Sequence, residues 1–218
     1  VLPRSSTYVT EASAVLLCVP DAHIRNVAAQ VERGPIVLHC SGATGVDPLR
    51  PHQPAGSFHP LMTFPGPDVH IPTLTDIPAC LAGDPKAIEY GRKLASTLGM
   101  RAFEFSGDRR LYHAAAVMAG NFATVLLARA SEVLAAAGVP SADAPGLLLP
   151  LALASLTNAR SDPARAITGP AARGDTAVIS AHGQALHAAQ LDDIHRLYDL
   201  LSEHARALAT SSTDTNGR

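Results

Sequence analysis

The sequence has no tryptophan, 4 % aromatic residues and three cysteines in 218 positions. So few rings argue against a protein that stacks on nucleic-acid bases. A formal net charge of −2 provides no basic field for a phosphate backbone, so no nucleic-acid partner is expected. Cys18, Cys40 and Cys80 are widely spaced and odd in number, which fits neither a disulfide framework nor a CxxC site. A reducing, cytoplasmic compartment is the expectation. None of the ten histidines falls in HExxH or in a Cys/His array of zinc spacing, so no metal site is expected. No apolar run reaches the ~18–20 residues of a membrane span. The longest, around Gly146 to Leu156, is interrupted by Pro150 and Ser155 and reads as a core helix. Val-Leu-Pro-Arg lacks the basic start and apolar block of a signal peptide. A hydrolase has no motif behind it, because there is neither G-x-S-x-G nor a zinc spacing.

What is present is 47 % hydrophobic and 17 % charged, a composition that can build a globular core. Ala14 to Val19 and Ile36 to Cys40 are short continuous apolar runs, as in parallel strands buried on both faces. Between them Asp21 is placed to cap a helix, with Ile24, Val27, Ala28 and Val31 on one face. Further strands are expected near Gly56–Pro60, Ala79–Ala82 and Met100–Phe105. Asp84-Pro85 and Gly99 bracket a helix. Residues 1–107 therefore read as an α/β domain. From Asp108 to Ala137 one long Ala-rich helical stretch follows, then helices near 143–159, 175–188 and 190–209, with a polar, unstructured tail from Thr210. Residues 108–218 read as an all-helical domain.

Five constellations are candidates for chemistry. Val19-Pro20-Asp21 and Ser41-Gly42 stand at strand ends, where open α/β sheets bind ligands. His59, in Gly56-Ser57-Phe58-His59-Pro60, and His113, near the start of the long helix, are candidate proton carriers because imidazole titrates near neutrality. His113, Val117 and Asn121 are spaced i, i+4, i+8, which puts them on one face of an α-helix. Asn121 there can orient a substrate oxygen. In Thr168-Gly-Pro-Ala-Ala-Arg173-Gly-Asp175, Arg173 can take a carboxylate or phosphate bidentately, and Asp175 stands at a helix N-cap. A structural role is open for each of these.

Taken in order, VPD, HCSG, SFHPLMTF, YHAAAVMAGN and TGPAARGD resemble a bacterial Rossmann-like family with a C-terminal domain of unknown function. That family is similar to pyrroline-5-carboxylate reductase and to the 3-hydroxyisobutyrate and 6-phosphogluconate dehydrogenases. The resemblance runs from about Val1 to Leu201. It implies a Rossmann-like NAD(P)-binding domain, N-terminally incomplete here, followed by an all-helical domain that forms a homodimer. It implies that Val19, Pro20 and Asp21 line the cofactor, with Ser41 and Gly42 flanking the nicotinamide end. Arg4, Ser5 and Ser6 would select NADP over NAD through its 2′-phosphate. Thr168, Arg173 and Asp175 would hold substrate. The dehydrogenase relatives use a Lys four residues before the Asn; Val117 stands there, so their mechanism is in doubt.

The resemblance thus implies an NADP-dependent oxidoreductase acting on a small polar substrate between the two domains, with no membrane partner. The family's first strand, its G-x-G-x-x-G turn and the following helix have no counterpart in these residues. Two alternatives follow: about 30 to 40 residues of a longer protein are missing, or the chain does not bind a dinucleotide in the ordinary way. The latter favours a dimeric, non-catalytic binding or scaffold protein.

Overall fold

A computed structural model describes residues 12–66, 69 and 73–214. Arg4, Ser5 and Ser6 lie outside the described residues. The chain divides into two compact units, Val1–Asn121 and Phe122–Arg218.

The first unit is built on a five-stranded sheet in the order β1 (Ala14–Leu17), β2 (Ile36–His39), β3 (Ala55–Pro60), β4 (Pro78–Gly83) and β5 (Arg101–Glu104). The first three strands are mutually parallel, β4 runs antiparallel to β3, and β5 is parallel to β4. Parallel neighbours need a crossover: α1 (Ile24–Ala28) lies between β1 and β2, a 3₁₀ turn (Asp47–Leu49) between β2 and β3, and α2 (Pro85–Thr97) between β4 and β5. Between β3 and β4 the described residues contain no helix, and β4 returns beside β3.

Alternation along the strands separates two cores. On one face Leu17 and Val37 pack with Ile24, Ala28 and Leu49. On the other Leu38, Phe58 and Leu81 pack with Ala87, Ala95 and Met100. By the same alternation His39, Ser57, His59, Cys80 and Phe103 lie on the α1 face. They are consecutive cross-strand partners: His39 pairs with Ser57, His59 with Cys80, and Cys80 with Phe103. Part of this row is covered by the first turns of α3 (Arg109–Val117), whose Tyr112 ring lies against His59, Phe103 and Phe105. These contacts carry the first unit past Gly107 to Asn121.

Two expected caps take other partners. Asp21 begins a 3₁₀ turn (Asp21–His23) rather than capping a helix, and its carboxylate reaches the loop after β2. Asp84 holds the N-cap position of α2, yet its carboxylate accepts from Arg50 and from the Ala55 N–H.

The long helix beyond Asp108 is interrupted. α3 passes through a π turn (Met118–Phe122) into α4 (Ala123–Ala136). By length and composition alone Arg109–Ala136 is apolar enough to cross a membrane, although no uninterrupted apolar run in the sequence suggests it. Its first turns pack instead on the sheet.

The second unit contains α4, α5 (Ala144–Asn158), α6 (Pro163–Ala166), α7 (Pro170–Arg173), α8 (Thr176–Ala188) and α9 (Asp192–Asp214). The last helix extends through Thr210, so the chain is not unstructured from that point. An apolar cavity of about 530 Å³ lies among α4, α8 and α9, lined by Val133, Leu186, Ile194 and Tyr198 among others.

The close pairing of β3 and β4 depends on Gly83. Its φ is +132°, and a Cβ there would come 2.4 Å from the Ala55 carbonyl oxygen and the Gly56 Cα, both backbone atoms that cannot turn aside. Gly83→Ala is expected to cost about 2–3 kcal/mol, read as a lower urea midpoint with an unchanged m-value.

Candidate functional site

The site lies at the carboxyl ends of β1, β2 and β3 and is assembled from backbone upward. His39, fully buried at the end of β2, accepts the Ser41 N–H at Nδ1, and its Nε2 bonds the Gly45 carbonyl at 3.0 Å. An accepting Nδ1 requires the proton on Nε2, so the ring is a neutral clamp across the loop. Burial favours this state and lowers the His39 pKa, against the Gly45 carbonyl, which raises it.

Asp21 joins this loop to the end of β1. Its Oδ2 accepts from Ser41 Oγ at 2.7 Å and from Thr44 Oγ1 at 2.8 Å, while Ser41 Oγ accepts the Thr44 N–H. Burial works to raise the Asp21 carboxyl, but the two hydroxyl donors outweigh it and hold it below the usual range.

Arg109 closes the site from α3. Asp108 accepts the Arg110 N–H and so caps this helix, which sets Arg109 in its first turn. Nη2 of Arg109 donates to the Ser41 carbonyl at 2.6 Å. Among the described residues its Nε and Nη1 are buried without a hydrogen-bond partner, while the guanidinium lies over the Tyr112 ring and near the Cys80 thiol. Buried guanidinium donors without acceptors are costly, and they mark a place for an anionic or carbonyl oxygen.

His59 and His113 meet at Gly42. A Cβ on Gly42 would come 2.7 Å from His113 Cδ2 and 2.8 Å from His59 Nε2, so any side chain here would have to displace one of the two rings. His59 Nδ1 shares a 2.7 Å hydrogen bond with the Tyr112 hydroxyl. Burial, then the charge of Arg109 and the neighbouring His113, bring the His59 pKa down to about 4. The ring is therefore neutral at pH 7. Burial also pushes the Tyr112 phenol well above its usual value, and it raises the Cys80 thiol behind it despite the nearby Arg109 charge.

The profile of a domain of unknown function, DUF2520, matches residues 77–205, more than half of the chain. The chain belongs to the DUF2520 family. A Rossmann-like domain matches residues 3–65. A structure from Bacteroides fragilis, BF3122, described provisionally as an NADP oxidoreductase, is 25 % identical with a TM-score of 0.77. It covers 94 % of this chain and 78 % of its own. Protein TM1727 from Thermotoga maritima is also 25 % identical, with a TM-score of 0.76 over 95 % of this chain and 82 % of its own. 1-Pyrroline-5-carboxylate reductase from Streptococcus pyogenes is 14 % identical, with a TM-score of 0.56 over 90 % of this chain and 77 % of its own. At that identity it shares the fold. No curated protein matches the chain.

Within this DUF2520 chain, Asp21, Ser41, Gly42, His59 and His113 are brought together in one cluster. Val19 and Pro20 stand at its rim, between β1 and Asp21. Asn121 is exposed and lies in the π turn, which changes the helical phase after Val117. The i, i+4, i+8 alignment of a regular α-helix therefore does not apply to it. Beside it Gly120 faces Thr63, whose Cγ2 is 3.8 Å from the position of a Cβ. Thr168, Arg173 and Asp175 belong to the second unit, where Asp175 accepts the Val178 N–H as the cap of α8 and Arg173 ends α7.

Sequence reasoning missed Arg109, Thr44 and the clamping His39. Arg109 carried a faint signal: a cation in the first helical turn opposes the helix dipole and so calls for a specific partner.

A pH dependence follows. A histidine whose folded pKa is lowered stabilises the fold above its unfolded value of about 6.5, and that stability is lost as the pH falls toward the folded value. Urea stability is expected to fall by about 1–3 kcal/mol between pH 7 and pH 4.5. In His59→Gln the slope over this window should be shallower. An equal slope in both proteins would mean that His59 is not held neutral.

Proposed function

We propose that this chain acts as an NADP-dependent oxidoreductase on a small polar substrate that carries an anionic group. The observation that supports this reading best is the buried, unsatisfied guanidinium of Arg109, placed beside bare Gly42 at the carboxyl edge of a Rossmann-like sheet. Ligands of open α/β sheets bind at that edge. The residues suit a nicotinamide dinucleotide: Val19, Pro20 and Asp21 would line it, and Ser41 with the backbone of Gly42 would flank it. When bound, the cofactor supplies hydride transfer.

The chain's own residues do the rest. Arg109 holds the substrate anion through Nε and Nη1, which are buried without a hydrogen-bond partner among the described residues. His59 is neutral, so it accepts a hydrogen bond or a proton rather than standing as an imidazolium. The His59–His113 pair, with ring centroids 6.4 Å apart across Gly42, handles the substrate proton. Asn121 orients a substrate oxygen or nitrogen.

NADPH is expected to bind more tightly than NADH in a fluorescence titration. Absence of binding by both, in this chain and in one extended upstream to a native start codon, would sink the reading. In a screen of small carbonyl and imine compounds with NADPH, Arg109→Gln is expected to lower kcat/KM by roughly ten- to a hundredfold for those bearing a carboxylate. Uncharged compounds should change little.

We also propose a homodimer through the helical unit. Leu147, Leu151, Leu153 and Leu156 of α5 and Phe122 and Val125 around the start of α4 are exposed, and so many exposed apolar side chains favour association. Sedimentation velocity is expected to give a dimer, and Leu151→Glu with Leu153→Glu a monomer. A monomeric parent chain would remove the proposal.

A further inference from the structure

Cys18 and Cys40 stand side by side at the ligand-bearing edge of the sheet. The β1–β2 register ends on the pair Leu17 and His39, and Cys18 and Cys40 are the next residue in each strand's exit. The Cys40 N–H still donates to the Leu17 carbonyl there, at 3.3 Å. Neighbouring strands run about 4.8 Å apart, within the Cα separation that a disulfide accepts. The sulfurs are already 3.7 Å apart, in hydrogen-bonding contact. Cys18 is exposed and Cys40 half-buried, while Cys80, on β4, is buried away from solvent.

We propose that Cys18 and Cys40 are a peroxide-oxidisable thiol pair that closes to a reversible intrachain disulfide. Neither the chain's similarity to other proteins nor the oxidoreductase reading above supplies or requires this site.

The two thiols have different roles. Cys18 is the attacking sulfur. It is the more exposed of the two, and the hydrogen bond from Cys40 lowers its pKa to about 7 against the opposing effect of burial, which favours its thiolate. Cys40 is the resolving thiol, and its pKa is raised first by that same hydrogen bond to Cys18 and then by burial. In the first step the Cys18 thiolate attacks one peroxide oxygen. An S–O bond forms, the O–O bond breaks, hydroxide leaves, and Cys18 becomes a sulfenic acid. The sulfur is oxidised by two electrons and the peroxide is reduced by two. Cys18 is then neutral, and the thiolate that held the Cys40 proton is gone. In the second step the Cys40 sulfur attacks the sulfenic sulfur. An S–S bond forms, the S–O bond breaks, and water leaves with the thiol proton. A dithiol reductant reverses the result by thiol–disulfide exchange.

The bond would form beside the ligand-binding edge. Cys18 precedes Val19-Pro20-Asp21 and Cys40 precedes Ser41, whose hydroxyl is bonded to Asp21. Oxidation would therefore tie the two loops covalently where Asp21 now ties them by hydrogen bonds.

The test uses the whole chain and hydrogen peroxide. After peroxide, denaturation and iodoacetamide, intact mass is expected to show a single adduct, on Cys80. The untreated chain should show three, and dithiothreitol should restore three to the treated chain. Non-reducing peptide mapping should join Cys18 to Cys40 within one chain. In Cys40→Ser, peroxide should leave a Cys18 sulfenic acid that dimedone traps. In Cys18→Ser, Cys40 should react at least about tenfold more slowly than Cys18 does in the parent. Circular dichroism checks that both variants are folded. Three adducts retained after peroxide would overturn the proposal. So would adducts lost without recovery by dithiothreitol, or a link that joins two chains or involves Cys80.

Discussion

The Asp21 carboxylate is the knot on which the site depends. Three parallel strands ending side by side bring their loops near one another, but they do not specify how the loops stand. Asp21 does so by accepting from Ser41 and Thr44 at once, and the same Ser41 gives its carbonyl to Arg109. The end of β1, the loop after β2 and the start of α3 are thus joined through two residues. Each bond involves a charged partner, which makes it stronger than a bond between neutral groups. Removing the carboxylate would release both hydroxyls and loosen the seat of Arg109.

Around this knot the protein keeps several groups in states that a plain core would avoid. Among the described residues two guanidinium donors are buried without hydrogen-bond partners, and Ser57 Oγ is buried without one as well. One imidazole is held neutral beside a cation, and a phenol is packed beside a buried thiol. Such arrangements cost stability. They are concentrated on the α1 face of the sheet near the strand ends, whereas Leu38, Phe58 and Leu81 form an ordinary apolar core on the other face. That asymmetry separates the side that holds the fold together from the side available for chemistry.

The helical unit is of a different kind. Among its described residues few large apolar side chains are fully buried, and many leucines of α5 remain exposed. Helices this apolar gain little from water on their outer faces, and their stability depends on burying them. The α3–α4 stretch adds a π turn at the junction of the two units, where Gly120 and Asn121 lie.

Features that depend on neighbours in the chain were legible from the sequence. Apolar runs at Ala14–Leu17 and Ile36–His39 are strands, Pro85 starts a helix, and the order of motifs points to a Rossmann-like half followed by helices. Each of these follows from local sterics or from hydrophobic periodicity. Much of the site gathers residues far apart in sequence: His59 meets Tyr112, Ser41 meets Arg109, and Cys18 meets Cys40. These pairings follow from strand order and register. The antiparallel turn of β4 puts Cys80 beside His59, and the pairing of Leu17 with His39 brings the two cysteines that follow them together. The sequence by itself determined which segments form strands and helices, because short-range forces suffice for that. Only the tertiary structure decided where Asp21 and Asp84 send their carboxylates, because a side chain beside a helix start can cap it or bond a distant loop, and packing selects between the two.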